Sequence, residues 1–208
     1  MYKKKEIALT FDDGPHPKYT PKILDILKEH DAKATFFLVG RRVRQNPDIV
    51  RRIFKEGHDI GNHTYSHPVS PVIRHRAIEK EIRLTGNIIK KIIGKSPRLF
   101  RPTWSKWDIN SAKMMRMSEE AGYIPVRWSV SSIDWLGMRR VLEARILNNG
   151  MGFQEIILLH DGAESALIKN RTATVEVLPK ILHCYQEHRF VKLSDLLTGG
   201  NLWQKRMV

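Results

Sequence analysis

Short apolar runs alternate with amphipathic stretches along most of the chain, and this alternation constrains the fold more than any other feature. The runs over 5–11 and 34–40 are too apolar for exposed edge strands, and the stretch over 20–30 has its apolar residues on one helical stripe. Repeated strand–helix units predict parallel βα connections. We therefore expect an α/β fold, a small distorted (β/α) barrel of about seven βα units, with a doubly wound sheet as the alternative.

Turn residues set the bounds of the predicted elements. Asn46-Pro47 begins a helix that Gly57 ends, and Gly94 ends a long amphipathic helix. At 208 residues, without a linker or repeat, the chain is expected to form a single domain over 1–208 with its core over about 5–197. Further strands are predicted over 58–62, 98–100, 123–130, 155–159 and 190–193, and further helices over 47–56, 74–93, 109–121, 139–147 and 172–188.

Composition limits the partners. The net charge of +14 and the pI near 10.0 suggest an anionic partner such as a charged wall polymer, a nucleic acid or a lipid surface. The basic residues are spread out and mixed with acids, so specific nucleic-acid binding is not expected. No apolar run is long enough for a transmembrane segment, and no signal-peptide core follows Met1, which leaves the localisation open. Cys184, the single cysteine, is expected to be a buried residue of a helix. The protein is expected to be a monomer.

Two motifs place chemically active side chains directly after predicted strands. Asp12 and Asp13, in TFDDGP, follow the first strand, and His63 and His67, in HTYSHP, follow the third. Side chains four residues apart on a helical turn lie about 5–6 Å apart. Two imidazoles and one carboxylate leave positions open for water and substrate, as in a catalytic metal site. The HxxxH spacing alone would favour two unconnected surface histidines, but its combination with DDGP favours a metal site.

The motifs TFDDGP, HTYSHP, FRPTW, SSIDW and ILLHD, in this order, resemble those of the polysaccharide deacetylase family, carbohydrate esterase family 4. The resemblance covers nearly the whole chain. It implies a distorted (β/α) barrel with a divalent metal, most often zinc, with cobalt, nickel or manganese as alternatives. Members remove acetyl groups from amino sugars of polysaccharides or, in some cases, from O-acetylated xylan, which implies a cell-wall or extracellular location.

The resemblance gives roles to the residues that match the motifs. Asp13, His63 and His67 would bind the metal, Asp12 would be the general base, and His160 would be the general acid toward the leaving amine.

Five further positions have supporting roles by resemblance. Arg101 would pair with the general base, and Asp134 would hold the general acid protonated. Trp135 and Leu158 would line the pocket of the acetyl methyl group, and a backbone N–H near Trp104 would bind the substrate oxygen. The chain departs from the family pattern at three positions, of which the first two affect the groove and hence substrate choice: Thr103, Ser105 and Ser131.

The expected function is therefore metal-dependent removal of N-acetyl groups from N-acetylglucosamine-type residues of peptidoglycan or a chitin-like polysaccharide. One alternative is an esterase that removes O-acetyl groups with the same residues. Another is a non-catalytic domain that binds the cell wall or nucleic acid. The basic charge favours an anionic wall, and the complete set of site residues argues against the non-catalytic domain, which does not need them all.

Overall fold

The computed structural model describes residues 5–68, 75–103, 109–148, 150–152, 154–163 and 169–198. The strands are β1 (Glu6–Gly14), β2 (Ala34–Leu38), β3 (Asp59–Asn62), β4 (Leu99–Phe100), β5 (Ile124–Pro125), β6 (Val130–Ser131), β7 (Gln154–His160) and β8 (Arg189–Phe190). The helices are α1 (Thr20–Glu29), α2 (Gly40–Gln45), α3 (Pro47–Lys55), α4 (His75–Ile93), α5 (Ile109–Glu120), α6 (Arg139–Leu147), α7 (Thr172–Cys184) and α8 (Leu193–Thr198). A short 3-10 helix spans Asp134–Leu136. Among these, no helix has both the length and the apolar character needed to cross a membrane.

The strands of the described residues form one parallel sheet that curls into a half-barrel. Their order is β5-β4-β3-β2-β1-β7-β6, and β8 also pairs with β1. This is the cyclic order of a (β/α) barrel opened between β5 and β6, without the reversal of a doubly wound sheet. The predicted α/β barrel class is confirmed, and the doubly wound alternative was wrong.

The side chains of β1 alternate between two apolar layers. Ile7, Leu9 and Phe11 belong to the larger core cluster, which includes residues of the surrounding helices, whereas Ala8 belongs to a second cluster inside the curled sheet. Since successive strand residues point to opposite faces, Asp12 continues the inner row that begins at Ala8. The inner row thus becomes polar at the carboxyl end of the strand, where the sequence predicts the site.

The strand predicted over 123–130 is wrong, because this stretch contains two short strands, β5 and β6, at opposite ends of the sheet. Between them, the carbonyls of Val126 and Arg127 accept hydrogen bonds from the Arg101 guanidinium at 3.2 and 3.1 Å. The Arg101 side chain thus hydrogen-bonds to carbonyls that a continuous strand would use for backbone hydrogen bonds to a neighbouring strand.

The C-terminal elements also differ from their predictions. Helix α7 ends at Cys184 rather than residue 188, and Leu193 begins α8 rather than ending a strand. Cys184 is exposed, contrary to the prediction. The next residue, Tyr185, takes the buried position, and its hydroxyl donates a hydrogen bond to the carbonyl of Ile146 at 2.6 Å.

Candidate active site

The carboxylates of two neighbouring residues reach one site because β1 is irregular at Asp13. In the pairing of β1 with β2, Asp12 lies opposite Phe37 and Gly14 lies opposite Leu38, so the register shifts at Asp13, whose φ is 71°. A bulge of this kind re-aims a side chain that would otherwise point to the opposite face. As a result, an oxygen of Asp12 and an oxygen of Asp13 lie 3.8 and 3.5 Å from the same atom, Nε2 of His63.

Asp13, His63 and His67 form a buried cluster in which one ligand atom from each lies within 4.8 Å of the others. Oδ1 of Asp13 is 3.5 Å from Nε2 of His63 and 3.2 Å from Nε2 of His67. Nδ1 of His63 is 2.8 Å from the carbonyl oxygen of Arg101, to which it donates, and this leaves Nε2 directed at the carboxylates. Two imidazole nitrogens and one carboxylate oxygen fit a divalent cation such as zinc, with coordination positions left open.

The charges of this cluster also suit a cation. Burial alone would raise the pKa of Asp13, but its hydrogen bond with His63 and the neighbouring histidines hold that pKa well below its usual value. Burial lowers the pKa of His67 to about 4, so this imidazole is neutral at neutral pH. Burial would also lower the pKa of His63, but Asp12 and Asp13 raise it, so a bound cation would displace a proton there.

The turn between the two histidines is held by hydrogen bonds to its backbone. The N–H groups of Tyr65 and Ser66 donate to Oε2 of Glu81, on α4, at 2.8 and 2.7 Å, and the Ser66 hydroxyl donates to Oε1 at 2.9 Å. The N–H of His67 donates to the Thr64 hydroxyl at 3.2 Å. Thr64 and His67 have φ of 64° and 52°, a strained region that persists where surrounding contacts fix it. Glu81 was not predicted from the sequence, because a helical pattern does not distinguish it from other charged residues.

Arg101 is fully buried and orients Asp12. Its Nη1 donates to Oδ1 of Asp12 at 2.9 Å and to the Thr10 hydroxyl at 2.7 Å, and its guanidinium carbon lies 4.1 Å from the ring centre of Phe37. Oδ1 of Asp12 therefore faces the arginine, whereas Oδ2 faces His63.

His160 ends β7 directly opposite Asp12 in the pairing with β1. Its Nδ1 and its backbone nitrogen each lie 2.7 Å from an oxygen of Asp134. The hydroxyls of Ser132 and Thr174 donate to the same carboxylate at 2.9 and 2.8 Å, which fixes its position. Burial alone would lower the pKa of His160, but the charge and hydrogen bond of Asp134, with the aspartates at the end of β1, raise it to about 9.

Some of the remaining predicted residues lie within the described part of the chain and others lie outside it. Leu158 is buried two residues before the end of β7 and so lies on the same face of that strand as His160. Trp135, in the 3-10 helix, is 43% exposed. Trp104 and Ser105 lie outside the described residues, and Thr103 is buried.

Asp161 is a buried acid of the site that the sequence analysis missed, although it follows His160 in the ILLHD motif. Burial raises its pKa to about 7, aided by the charge of Asp13 and opposed by the hydrogen bond from the Thr20 hydroxyl. A Cβ placed on Gly14 would overlap the Asp161 carboxylate. The carboxylate thus packs directly against the DDGP turn and requires glycine at position 14.

The chain is similar to known proteins over most of its length. The model of the polysaccharide deacetylase family matches residues 2–125. A peptidoglycan-N-acetylglucosamine deacetylase of Bacillus cereus is 40% identical over 200 residues, which cover 93% of this chain and 89% of the relative. A chitooligosaccharide deacetylase of Rhizobium leguminosarum bv. trifolii is 38% identical over 168 residues, which cover 80% of this chain and 76% of the relative. The crystal structure of a peptidoglycan N-acetylglucosamine deacetylase in complex with 4-naphthalen-1-yl-N-oxidanyl-benzamide is similar with a TM-score of 0.81 at 37% identity, covering 94% of this chain and 89% of that one.

Proposed function

Because the chain belongs to the polysaccharide deacetylase family, we propose that it is a metal-dependent hydrolase of N-acetylglucosamine-type residues in a polysaccharide, from which it removes the N-acetyl group. The relatives are named for peptidoglycan and for chitooligosaccharides, which supports a β-linked amino-sugar chain as substrate. The net charge of +14 favours the anionic cell wall, and thus peptidoglycan, over a neutral polymer.

The irregularity at Asp13 carries this proposal. It directs two adjacent carboxylates to different partners, Asp13 toward two imidazoles and Asp12 toward Arg101, opposite His160. Hydrolysis of an acetyl amide needs a cation site, a base beside it and a proton donor across from the base, and this arrangement supports all three.

The cation site in this proposal consists of Asp13, His63 and His67, with zinc as the expected ion. A divalent cation bound there supplies a Lewis acid that polarises the acetyl carbonyl and lowers the pKa of water.

The proton transfers are assigned to Asp12 and His160. Oδ2 of Asp12, the oxygen turned away from Arg101, accepts a proton from the attacking water as the new C–O bond forms. His160 then donates its proton to the amine nitrogen as the C–N bond breaks, because an amide anion is too poor a leaving group to depart unprotonated. Acetate and the free amino sugar are the products. Asp134 keeps His160 oriented and protonated.

The substrate contacts are expected at the rim of this site. Leu158 and Trp135 would line the pocket of the acetyl methyl group, and the backbone near Trp104 would contact the acetyl oxygen. A buried leucine and a partly exposed tryptophan suit the floor and the wall of such a pocket.

The test is acetate release from N-acetylglucosamine oligomers by protein that has been treated with a chelator and then supplied with zinc or cobalt. Release that requires the metal is expected. Release from O-acetylated xylan alone would assign the esterase alternative instead. Absence of both release and metal binding would assign the non-catalytic domain.

A further inference from the structure

Helix α4 carries an exposed row of cations that the proposed reaction does not use. The row consists of Arg76, Lys80, Arg83, Lys90 and Lys91, all exposed, and is called here the α4 basic face. With 3.6 residues per turn, these positions fall within an arc of about 100° and extend over about 22 Å of the helix. The buried residues of α4 lie on the opposite side, so the whole row is presented to solvent.

The α4 basic face has no acidic partners in the part of the chain that the structure describes. None of its five side chains forms an ion pair or hydrogen bond there, although Glu79 lies on the same helix. By contrast, four other helices each have an exposed cation in an ion pair: Arg51 with Asp48, Arg116 with Glu120, and Arg139 and Lys180 with Glu143.

This arrangement is unfavourable for the N-terminal half of the helix. Like charges three or four residues apart on a helix repel one another, as Arg76, Lys80 and Arg83 do. Arg76 also lies in the first turn, where the helix dipole disfavours a cation and where α4 has no acid. Lys90 and Lys91, by contrast, lie in the last turn, where the dipole favours cations. The repulsion among the first three cations, and the absence of a partner for any of the five among the described residues, are explained if an external anion neutralises the row.

The α4 basic face begins beside the candidate active site. Glu81, one residue after Lys80, binds the backbone of Tyr65 and Ser66 in the turn that carries the two histidines. The remaining cations lead away from that edge of the sheet along the axis of α4. A long polymer attached to a glycan strand in the site could therefore contact this face.

We propose that the α4 basic face binds an anionic, phosphodiester-bearing polymer of the cell wall and so retains the enzyme on the wall that contains its substrate. A row of cations that extends over about 22 Å suits a linear polyanion better than a single small anion. Helix α4 contains no phenylalanine, tyrosine or tryptophan on which a base could stack, which disfavours single-stranded nucleic acid. The identification of the polyanion as a wall polymer rests on the proposed function, whereas the existence of a polyanion site rests on the cations of α4 alone.

The test compares two variants that each lower the net charge from +14 to +10 by removing four cations. The first combines Lys80→Gln, Arg83→Gln, Lys90→Gln and Lys91→Gln on the α4 basic face. The matched control combines Arg116→Gln, Arg139→Gln, Lys180→Gln and Arg189→Gln, which remove cations that have acidic partners elsewhere. Co-sedimentation with purified cell walls is measured at about 50 and about 200 mM salt, because surface electrostatic binding weakens as salt screens it.

At low salt, the α4 variant is expected to bind walls at least about tenfold more weakly than the unmodified protein, and its wall affinity should decrease less when salt is added. The control variant should bind walls within about twofold of the unmodified protein. Walls stripped of phosphodiesters by hydrofluoric acid should bind all three proteins weakly and alike. Equal losses in the two variants, or unchanged binding to stripped walls, would refute the proposal. Duplex DNA binding as tight as wall binding, and equally sensitive to the α4 variant, would also refute the wall polymer as partner.

A second readout separates this inference from the proposed function. Acetate release from neutral N-acetylglucosamine oligomers should be equal in all three proteins, because these oligomers carry no charge for α4 to bind. Failure of that release in the unmodified protein would remove the proposed function, while leaving the sedimentation result to decide the polyanion site.

Discussion

Replacing Glu81 with alanine should weaken metal binding although Glu81 is not itself a proposed ligand. Its carboxylate accepts the N–H groups of Tyr65 and Ser66 at 2.8 and 2.7 Å, inside the turn that joins His63 to His67. Hydrogen bonds to a charged group contribute about 1.5–3 kcal/mol each. Because Glu81 is partly buried, we take the lower figure, so the two bonds together hold the turn by about 3 kcal/mol.

The free energy of these two hydrogen bonds offsets backbone strain in the same turn. Thr64 and His67 lie in the left-handed region, at a cost of about 1–3 kcal/mol each. Without Glu81 the turn can relax, and Nε2 of His67 then leaves its position 3.2 Å from the Asp13 carboxylate. Loss of a residue that orients a metal ligand lowers affinity about 10- to 100-fold. We expect Glu81→Ala to weaken zinc binding by that factor and Glu81→Gln, which keeps one acceptor oxygen, by less.

The assay is competition for zinc with a chromophoric chelator near neutral pH, together with the melting temperature of the metal-free protein. Glu79→Ala is the matched control, since it removes the same charge from an exposed position two residues away on α4. Glu81 has no role in metal binding if Glu81→Ala lowers the melting temperature but binds zinc as tightly as the control. Equal loss of zinc affinity in both variants would also refute this role, since only the charge of the helix would then matter.

Three further predictions concern individual side chains. Asp12→Asn should lower turnover by about 10²–10⁴ while zinc stays bound, whereas Asp13→Asn should lose zinc as well; equal zinc loss in both, measured by metal analysis, would contradict the assignment. Asp134 raises the pKa of His160, so Asp134→Asn should move the fall of kcat/KM at high pH to lower pH by about one unit or more, and an unmoved profile would exclude His160 as the acid. Burial lowers the pKa of His58 to about 4 from 6.5. As pH falls, the unfolded chain therefore binds a proton at this imidazole before the folded protein does, and the free energy of unfolding decreases by up to about 3 kcal/mol between these two pH values. His58→Gln should therefore flatten the dependence of melting temperature on pH in that range, and an unchanged dependence would show that His58 does not contribute.

Much of the fold follows from local sequence patterns. Apolar runs and turn residues predict β1, β2 and β7 and the helices α1, α3, α4, α5 and α6, because each has a clear period and a clear end, whereas the short helix α2 was not predicted. The barrel opens where the local pattern misleads, over 123–130. That stretch has strand composition, but two of its carbonyls bond to Arg101, which lies about 25 positions earlier in the chain. Competition of this kind between a distant side chain and a strand partner leaves no local signal.

The candidate site is predictable in part for the same reason. Its acids and histidines occur in short motifs directly after strands, where the fold class alone places them at one edge. Glu81 and Thr174, which hold the histidine turn and Asp134, come from other elements and have ordinary surface character in the sequence. Ser132 and Asp161 lie within the SSIDW and ILLHD motifs, but the motifs do not show their hydrogen bonds to Asp134 and Thr20. Their contacts arise only when α4, α7 and β7 pack around the turns, so periodicity and motif spacing do not reveal them.

The four buried acids of the site differ mainly in the groups they face. Asp12 faces an arginine, Asp13 two imidazoles and Asp134 one imidazole, whereas Asp161 receives its hydrogen bond from a hydroxyl. Burial favours the neutral form of every carboxyl group, so the charged partner decides which acid stays ionised. The pKa of Asp13 and of Asp134 is lowered, while that of Asp161 is raised to about 7. Adjacent positions 12 and 13 can therefore take different roles, because the irregularity of β1 directs Asp12 to Arg101 and Asp13 to the two imidazoles.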